Sequence, residues 1–329
     1  MLDLTVAVCT YNGANLIPEI LDKLRSQVQT EAINWEVIVV DNNSSDDTAQ
    51  VIKTYQQNWS CVYPLRYCFA PEQGLSFARR YAITEAKGAI VAFLDDDNLP
   101  APDWVAQVAL FAQKHPQTGA YGGQIHPLFE VEPPVGFERI ARFFALFESK
   151  ETFCYNQRYE SKYKRMFPPG AGIVVRKQAW LDSVPELPVL KGVAGKSLLS
   201  KGEDLETLSY IRNAGWELWF NAEMHIDHKI PKSRLERTYL MRFFKGVGTS
   251  RHKIRMLKYR NWQKPLITPL YMANDLRKTF SYFLKNRNLL DKDVVIAAEM
   301  RYLISSFLSP LYHASIGMKI NFRSTSNQQ

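Results

Sequence analysis

Apolar residues in the first hundred positions fall into two alternating rhythms. Thr5–Thr10, Trp35–Val40, Val62–Phe69 and Ala89–Leu94 are short, largely unbroken apolar runs rich in β-branched residues, the pattern of buried strands. Between them the spacing changes. Leu16, Ile20, Leu21 and Leu24 recur at helical intervals within Asn15–Val28, and Pro18 falls in the first turn, where a missing N–H costs nothing. The turn Asn42–Asp47 offers helix caps ahead of a helix over Thr48–Gln57. Ser76 can cap another, running to Lys87 and closed by Gly88. Strand and helix thus alternate four times, which predicts βαβ crossovers and a mostly parallel sheet with helices on both faces.

Beyond residue 100 the pattern predicts a helix over Pro102–His115 and a strand over Gly119–Ile125. An aromatic helical stretch over Phe137–Tyr163 is broken by Pro168-Pro169-Gly170-Ala171-Gly172, and Ile173–Arg176 is the next strand. Val189–Gly202 is rich in Gly, Lys and Ser and reads as a mobile loop, followed by a helix from Glu203 to Asn213 and a strand over Trp216–Asn221. Arg234–Ile320 is helical and amphipathic in pattern, and Asn321–Gln329 is a polar, frayed end. The division is a catalytic domain over residues 1–230 and a basic helical extension over 231–329.

Charge sharpens that division. From Lys229 onward there are 20 Lys/Arg against 5 Asp/Glu, and before it 21 against 28, so the first part carries −7 and the last +15. A basic, aromatic stretch over Tyr239–Tyr259, including Phe243, Phe244, Lys245, Arg251 and Lys253, suits either a membrane interface or ordinary packing. No nucleic-acid motif accompanies the positive charge, so no nucleic-acid partner is expected. The cysteines Cys9, Cys61, Cys68 and Cys154 are scattered without metal-finger spacing, which points to a reducing compartment, the cytoplasm. No secretory signal opens the chain, and no apolar run of about 18 residues predicts a spanning helix.

The candidate chemistry sits where the strands end. Asp95-Asp96-Asp97 leaves the apolar run Ala89–Leu94 directly. Three adjacent carboxylates repel one another, and a hard divalent cation, Mg²⁺ or Mn²⁺, relieves the repulsion; a solvated acidic turn is the plainer account. Thr10 and Asp41 also lie at strand ends, and ligands of parallel sheets bind at that rim.

In their order, these features resemble the family 2 glycosyltransferases of the GT-A fold: Val6–Asn12, Val37–Asp46, Gly74–Arg79, Phe93–Asp97, Pro169–Gly172, Gly202-Glu203-Asp204 and His228. The resemblance implies an inverting, metal-dependent transfer from a nucleoside-diphosphate sugar to a glycan or lipid-linked acceptor in polysaccharide assembly. It implies that Thr10, Tyr11 and Asn12 line the base and ribose pocket, and that Asp41 accepts from the base, with a slight preference for a uridine diphosphate donor. Arg79 would face the phosphates, Asp95 or Asp96 would hold the ribose, Asp97 the metal, and His228 would complete the metal or diphosphate site. His225 is the nearest competitor of His228. Asp204 is the implied general base, with Glu203 pointing elsewhere on the helix. Each has a plainer reading: Asp41 as a helix cap, Arg79 as a surface charge, Asp204 as an acid stabilised by a helix N-terminus. For the extension, a membrane surface is an expected partner, with peripheral attachment at the inner face of the cytoplasmic membrane. Two rival functions are a sugar nucleotidyltransferase, which needs an Arg-containing Gly-rich loop after the first strand that Tyr11-Asn12-Gly13 does not supply, and a non-catalytic nucleotide or nucleic-acid binding protein.

Overall fold

A computed structural model describes residues 2–156, 166–187, 190 and 202–326, with residues 315–326 as backbone. The first half follows the alternating rhythm. Strand β1 (Leu2–Thr10) leads to helix α1 (Ile17–Arg25), β2 (Trp35–Asp41) to α2 (Thr48–Gln57), β3 (Leu65–Phe69) to α3 (Leu75–Glu85), and then β4 (Gly88–Asp95). These strands lie in the order β3-β2-β1-β4, all parallel. Val6, Val8, Val37, Val39 and Leu94 bury one face of this sheet, and Ala7, Ile38, Val40, Val91 and Phe93 the other, which is why the runs are apolar throughout. Helix α1 buries Ile17, Ile20, Leu21 and Leu24, so Ile17 takes the place expected for Leu16. Helix α3 starts one residue before Ser76, after Gly74 at φ +139°, and Ser76 is not its cap.

The sheet then changes character. It continues through β5 (Asn98–Pro100), helix α4 (Trp104–Lys114), β6 (Thr118–Phe129), β7 (Phe153–Cys154), β8 (Val174–Arg176), α5 (Lys177–Ser183), α6 (Glu203–Asn213) and β9 (Glu217–Ile230). Strand β8 inserts antiparallel between β4 and β6, β9 runs parallel to β6, and β5 and β7 pair antiparallel with β9. The expected helix over Phe137–Tyr163 is not formed in its described part. Two 3-10 turns (Phe137–Arg139 and Ala141–Phe144) and β7 stand there instead. Its aromatics pack one by one: Phe153 stacks on Phe220 and Phe147 meets Phe220 edge-on. The expected mobile loop, Val189–Gly202, lies outside the described residues except Leu190 and Gly202.

The chain divides into two compact units. One comprises residues 1–132, 141–195 and 203–231; the other is built around residues 133–140 and 232–329. The second unit is helical: α7 (Lys232–Leu235), α8 (Arg237–Met256), α9 (Lys264–Asn286) and α10 (Val294–Ser326). Helix α10 therefore runs past the start of the expected frayed end. Within this unit α8 and α10 approach closely through small residues. A Cβ on Gly248 would come 2.6 Å from the Ser305 Cβ, and Ser309 accepts the His252 N–H at 3.2 Å. Of the aromatics of Tyr239–Tyr259, Phe243 and Phe244 are buried in the interior and Tyr239 and Tyr259 are half-buried. Val294–Ala314 is long and apolar enough to cross a membrane by length and composition, contrary to the sequence expectation, yet 44% of that window is buried inside the protein. Glu299 and Arg301 interrupt it, which is why no unbroken apolar run is visible. A buried core helix meets the same criterion, and Val295, Ala298, Ser306 and Ser309 are buried here.

Candidate active site

Three loops at the carboxyl ends of β1, β2 and β3 are tied by two asparagines. Asn12, at φ +54°, donates its N–H to Ser44 Oγ and accepts the Ser45 N–H, both at 2.8 Å. Asn42 is buried, donates to the Glu72 carbonyl at 2.6 Å and accepts the Gly74 N–H at 2.7 Å. That second bond fixes the start of α3, the helix that carries Arg79. Asp41 accepts from the Tyr67 hydroxyl and from the Ser44 N–H, each at 2.9 Å. It therefore closes a local turn and does not cap α2, whose N-cap residue is Asp47. Burial, followed by the bond to Asp41, pushes the Tyr67 phenol up to about 12, so it stays a donor at neutral pH.

The acidic triplet is held from several sides. The Thr10 hydroxyl donates to Asp96 Oδ2 at 2.6 Å, and Gly13 closes against both: a Cβ there would fall 2.0 Å from Thr10 Oγ1 and 2.7 Å from Asp96 Oδ2. Asp97 is buried; its Oδ1 accepts from Asn98 Nδ2 at 2.9 Å, and its Oδ2 stands 3.6 Å from His228 Nε2. Strand β5 creates this meeting, because Asn98 registers opposite His228 on β9. His228 Nδ1 lies 3.0 Å from the Phe144 carbonyl and donates there, so when the ring is neutral its Nε2 lone pair is turned toward Asp97. Two acceptors facing each other at that separation fit two ligands of one cation with bonds of about 2.1 Å, and the carbonyl bond is the support a ligating histidine needs. Mn²⁺ or Mg²⁺ therefore fits the donor set. Among the described residues no group of three or more His, Cys, Asp or Glu side chains is arranged to hold a metal. His225 is engaged elsewhere, in a stack with His126 at 2.9 Å between Nδ1 and Nε2.

Arg79 joins the remaining pieces. It is buried beneath the rim, 3.5 Å from Asp95 Oδ1 and 3.3 Å from the Gly170 carbonyl, with Phe93 under its guanidinium. Burial alone would ease its proton off; the charges of Asp95, Glu203 and Asp204 outweigh this and raise its pKa. The surface-charge reading of Arg79 therefore fails. Its buried Nε has no hydrogen-bond partner among the described residues. Cys9, just below, is pushed up to about 12 by burial, offset by Arg79 and reinforced by Asp95 and Asp96, and stays a thiol.

Asp204 lies in the first turn of α6, after Glu203, and accepts the Leu205 N–H at 2.9 Å. Gly170 lies against its carboxylate so closely that a Cβ would meet Oδ2 at 2.3 Å. An apolar cavity beside it is walled by Phe93, Ile173, Trp180 and Leu208, with Arg79, Arg80, Glu203, Asp204 and Glu206 as the charged residues of its lining. Glu203 therefore shares the cavity with Asp204, contrary to the expectation that it points away. Tyr11 stands half-buried in the loop after β1, and Asn12 beside it is exposed. Thr10, Tyr11, Asn12, Asp41, Arg79, Asp95, Asp96, Asp97, Asp204 and His228 thus all belong to the first unit. Thr10 with Asp96, Asp97 with His228, and Arg79 with Asp95 are direct pairs. Tyr67, Asn98 and Gly170 are supporting residues that the sequence pattern did not single out for those contacts.

Residues 5–180 match the family described as Glycosyl transferase family 2. The glycosyltransferase AglE of Haloferax volcanii is 33% identical over 101 residues, 31% of this chain and 32% of that protein. The poly(ribitol-phosphate) beta-N-acetylglucosaminyltransferase TarS of Staphylococcus aureus is 29% identical over 115 residues, 35% of this chain and 20% of TarS. The matched segments thus span about a third and a fifth of those relatives. In structure, TarS 1–349 in complex with UDP superposes with a TM-score of 0.51 at 17% identity, over 95% of this chain and 92% of that one. The mannosyltransferase PcManGT of Pyrobaculum calidifontis, in complex with GDP-Man and Mn²⁺, gives a TM-score of 0.56 at 21% identity, over 95% and 90%. At these identities the superpositions show a shared GT-A fold.

Proposed function

The chain belongs to glycosyl transferase family 2, and from that premise we propose that it moves one sugar from a nucleoside-diphosphate donor to a hydroxyl of a glycan or lipid-linked acceptor in polysaccharide assembly, with inversion and with Mn²⁺ or Mg²⁺. The observation that carries this reading is the Asp97–His228 pair, two acceptors from β4's end and β9 facing each other beside a rim built by Thr10, Asp41 and Arg79. Asp97 and His228 would hold the cation. When bound, it neutralises the charge that a departing nucleoside diphosphate develops.

Every other role falls to the protein. The loop Thr10–Asn12 and Asp41 receive base and ribose; each Asp41 oxygen already accepts one bond and retains a further lone pair for a donor N–H. Asp95 and Asp96 suit the ribose hydroxyls. Arg79, buried and always charged, faces the phosphates with an Nε that still lacks a partner. Asp204 takes the proton from the attacking hydroxyl, which requires a carboxylate separate from the acidic triplet. Its position at the head of α6, against Gly170, supports that assignment. The mannosyltransferase neighbour is bound to GDP-Man and Mn²⁺ and the TarS neighbour to UDP, which supports a nucleotide-sugar donor and leaves its base open. The four cysteines are all free thiols, in keeping with a cytoplasmic site of action.

The test is donor turnover across a panel of uridine, guanosine and thymidine diphosphate sugars, with Mn²⁺, Mg²⁺ or chelator, and the anomeric configuration of the product read by NMR. Metal-dependent consumption of one donor with inversion supports the reading. Undiminished turnover in chelator refutes the metal role, and retention refutes the role of Asp204.

A further inference from the structure

Helix α9 exposes an apolar stripe, interrupted by Arg277, that the described residues leave uncovered. Leu266, Leu270, Ala273, Arg277, Phe280 and Leu284 recur at steps of four and three residues, so they line one side of the helix, and all are exposed. The exposures are large for such side chains: Leu266 65%, Leu270 66%, Phe280 61% and Leu284 52%, with Trp262 at 65% just before the helix. The opposite side faces inward. There Asp275 is buried and bonded to the Arg255 guanidinium of α8 at 2.9 Å. Asp275 is also the only acidic residue in α9, whereas Lys264, Arg277, Lys278 and Lys285 are basic. The helix therefore offers solvent an apolar stripe and positive charge, with no exposed carboxylate.

We propose that this side of α9, with Trp262 at its leading end, is a docking surface for an anionic lipid bilayer, on which the helix lies flat. Apolar side chains would enter the acyl boundary while the lysines and arginines meet phosphate headgroups. At about 35 Å the helix is long enough to hold the unit at one orientation. Trp262 has the amphipathic ring that interfaces favour. Charge selects this occupant over a second copy of the chain. Two α9 stripes face to face would oppose Arg277, Lys278 and Lys285 to themselves, and the one carboxylate of the helix, Asp275, is buried against Arg255. Peripheral attachment also keeps the buried Arg255–Asp275 pair out of the hydrocarbon. Phe243 and Phe244 of the Tyr239–Tyr259 stretch, by contrast, are interior, so the attachment surface lies on a different helix from the one the sequence suggests.

The full-length chain should float with vesicles of phosphatidylcholine containing phosphatidylglycerol and much less with phosphatidylcholine alone, and 0.5 M salt should weaken the binding. L270E and F280E should each weaken it by about tenfold or more. The unfolding midpoint should stay unchanged, because both side chains are exposed. Absence of binding to anionic vesicles at low salt overturns the proposal, as does binding that the L270E/F280E variant retains, in flotation or after carbonate extraction. Sedimentation velocity covers the remaining occupant: a dimer that L270E/F280E dissociates, with vesicle binding unaltered, shows that the surface belongs to a second copy.

Discussion

Asp97 Oδ2 and His228 Nε2 face each other across 3.6 Å, although 131 positions separate them in the chain. Strand β5, three residues long, makes the meeting by pairing Asn98 with His228. Replacing Asp97 with Asn, or His228 with Ala, should lower transfer at least about a hundredfold, the scale of a lost cation at a leaving group. In the wild type, nucleoside diphosphate at a hundred times its Kd should stabilise the fold by about 2.7 kcal/mol only when Mn²⁺ or Mg²⁺ is present. Both variants should lose that metal-dependent increment in a thermal shift assay. An increment of full size in Asp97→Asn would remove Asp97 from the metal site.

Asp204 and Glu203 share one cavity, and kinetics should separate them. Asp204→Asn should cost about 10²–10⁴ in kcat, the usual range for a lost general base, with donor affinity preserved. Glu203→Gln should cost far less. Single-turnover rates with donor affinity measured by calorimetry make the comparison, and equal losses in the two variants would deny Asp204 its separate role.

Gly170 tests the same carboxylate without touching it. An alanine Cβ would overlap Asp204 Oδ2, so Gly170→Ala should displace the carboxylate and lower kcat while the unfolding midpoint changes little. A Gly170→Ala enzyme with wild-type kcat would show that the Asp204 position is not critical.

In the helical unit, the Arg255–Asp275 pair is nearly excluded from solvent, with side-chain exposures of 14% and 3%. Asp275→Ala leaves a buried guanidinium without its carboxylate and should cost about 3–5 kcal/mol. The double variant Arg255→Met/Asp275→Leu should recover most of that loss, as read by urea denaturation.

His252 and His313 give the same unit an acid sensitivity. Burial lowers the pKa of His252, with further lowering from the His313 charge; burial also lowers that of His313, partly offset by its bond to the Thr249 carbonyl. Folded pKa values below the unfolded 6.5 mean that the unfolded chain binds protons first as the pH falls. Their contribution is therefore complete above about 6.5 and is lost as the pH drops through the folded values. The stability of the wild type should decline more steeply from pH 7 to 5 than that of His252→Gln/His313→Gln, measured by denaturant midpoints.

The parallel half of the sheet is plain in the sequence because its strands are buried on both faces and each is followed by a helix of opposite rhythm. The mixed half is not, for local reasons. Strand β5 holds a single apolar side chain, Leu99, between Asn98 and Pro100, too little for any periodicity. Strand β9 continues nine residues past its expected end, and the overlooked signal is an alternation: Met224, Ile226, His228 and Ile230 are buried while Glu223, His225, Asp227 and Lys229 are not. His228 occupies an inward position of that alternation, so its burial was legible even though its partner was not. The aromatics after Phe137 suggest a helix by composition, but Phe147 and Phe153 both pack on Phe220 of β9 from non-helical backbone. Asp204 was legible as an acid at a helix start; its contact with Gly170 depends on two segments whose approach no local pattern encodes.

The Asn42 side chain has a consequence for how this enzyme can vary. By gripping both the Glu72 carbonyl and the Gly74 amide, it sets the length of the segment between β3 and α3. An insertion there would release the helix that positions Arg79, whereas in the link between α1 and β2 the side-chain grip, Gln27 on Ala101 and Val105, comes before the exposed residues Gln29, Glu31 and Ala32. Descendants of this chain, natural or designed, should accept added residues at the second place and refuse them at the first.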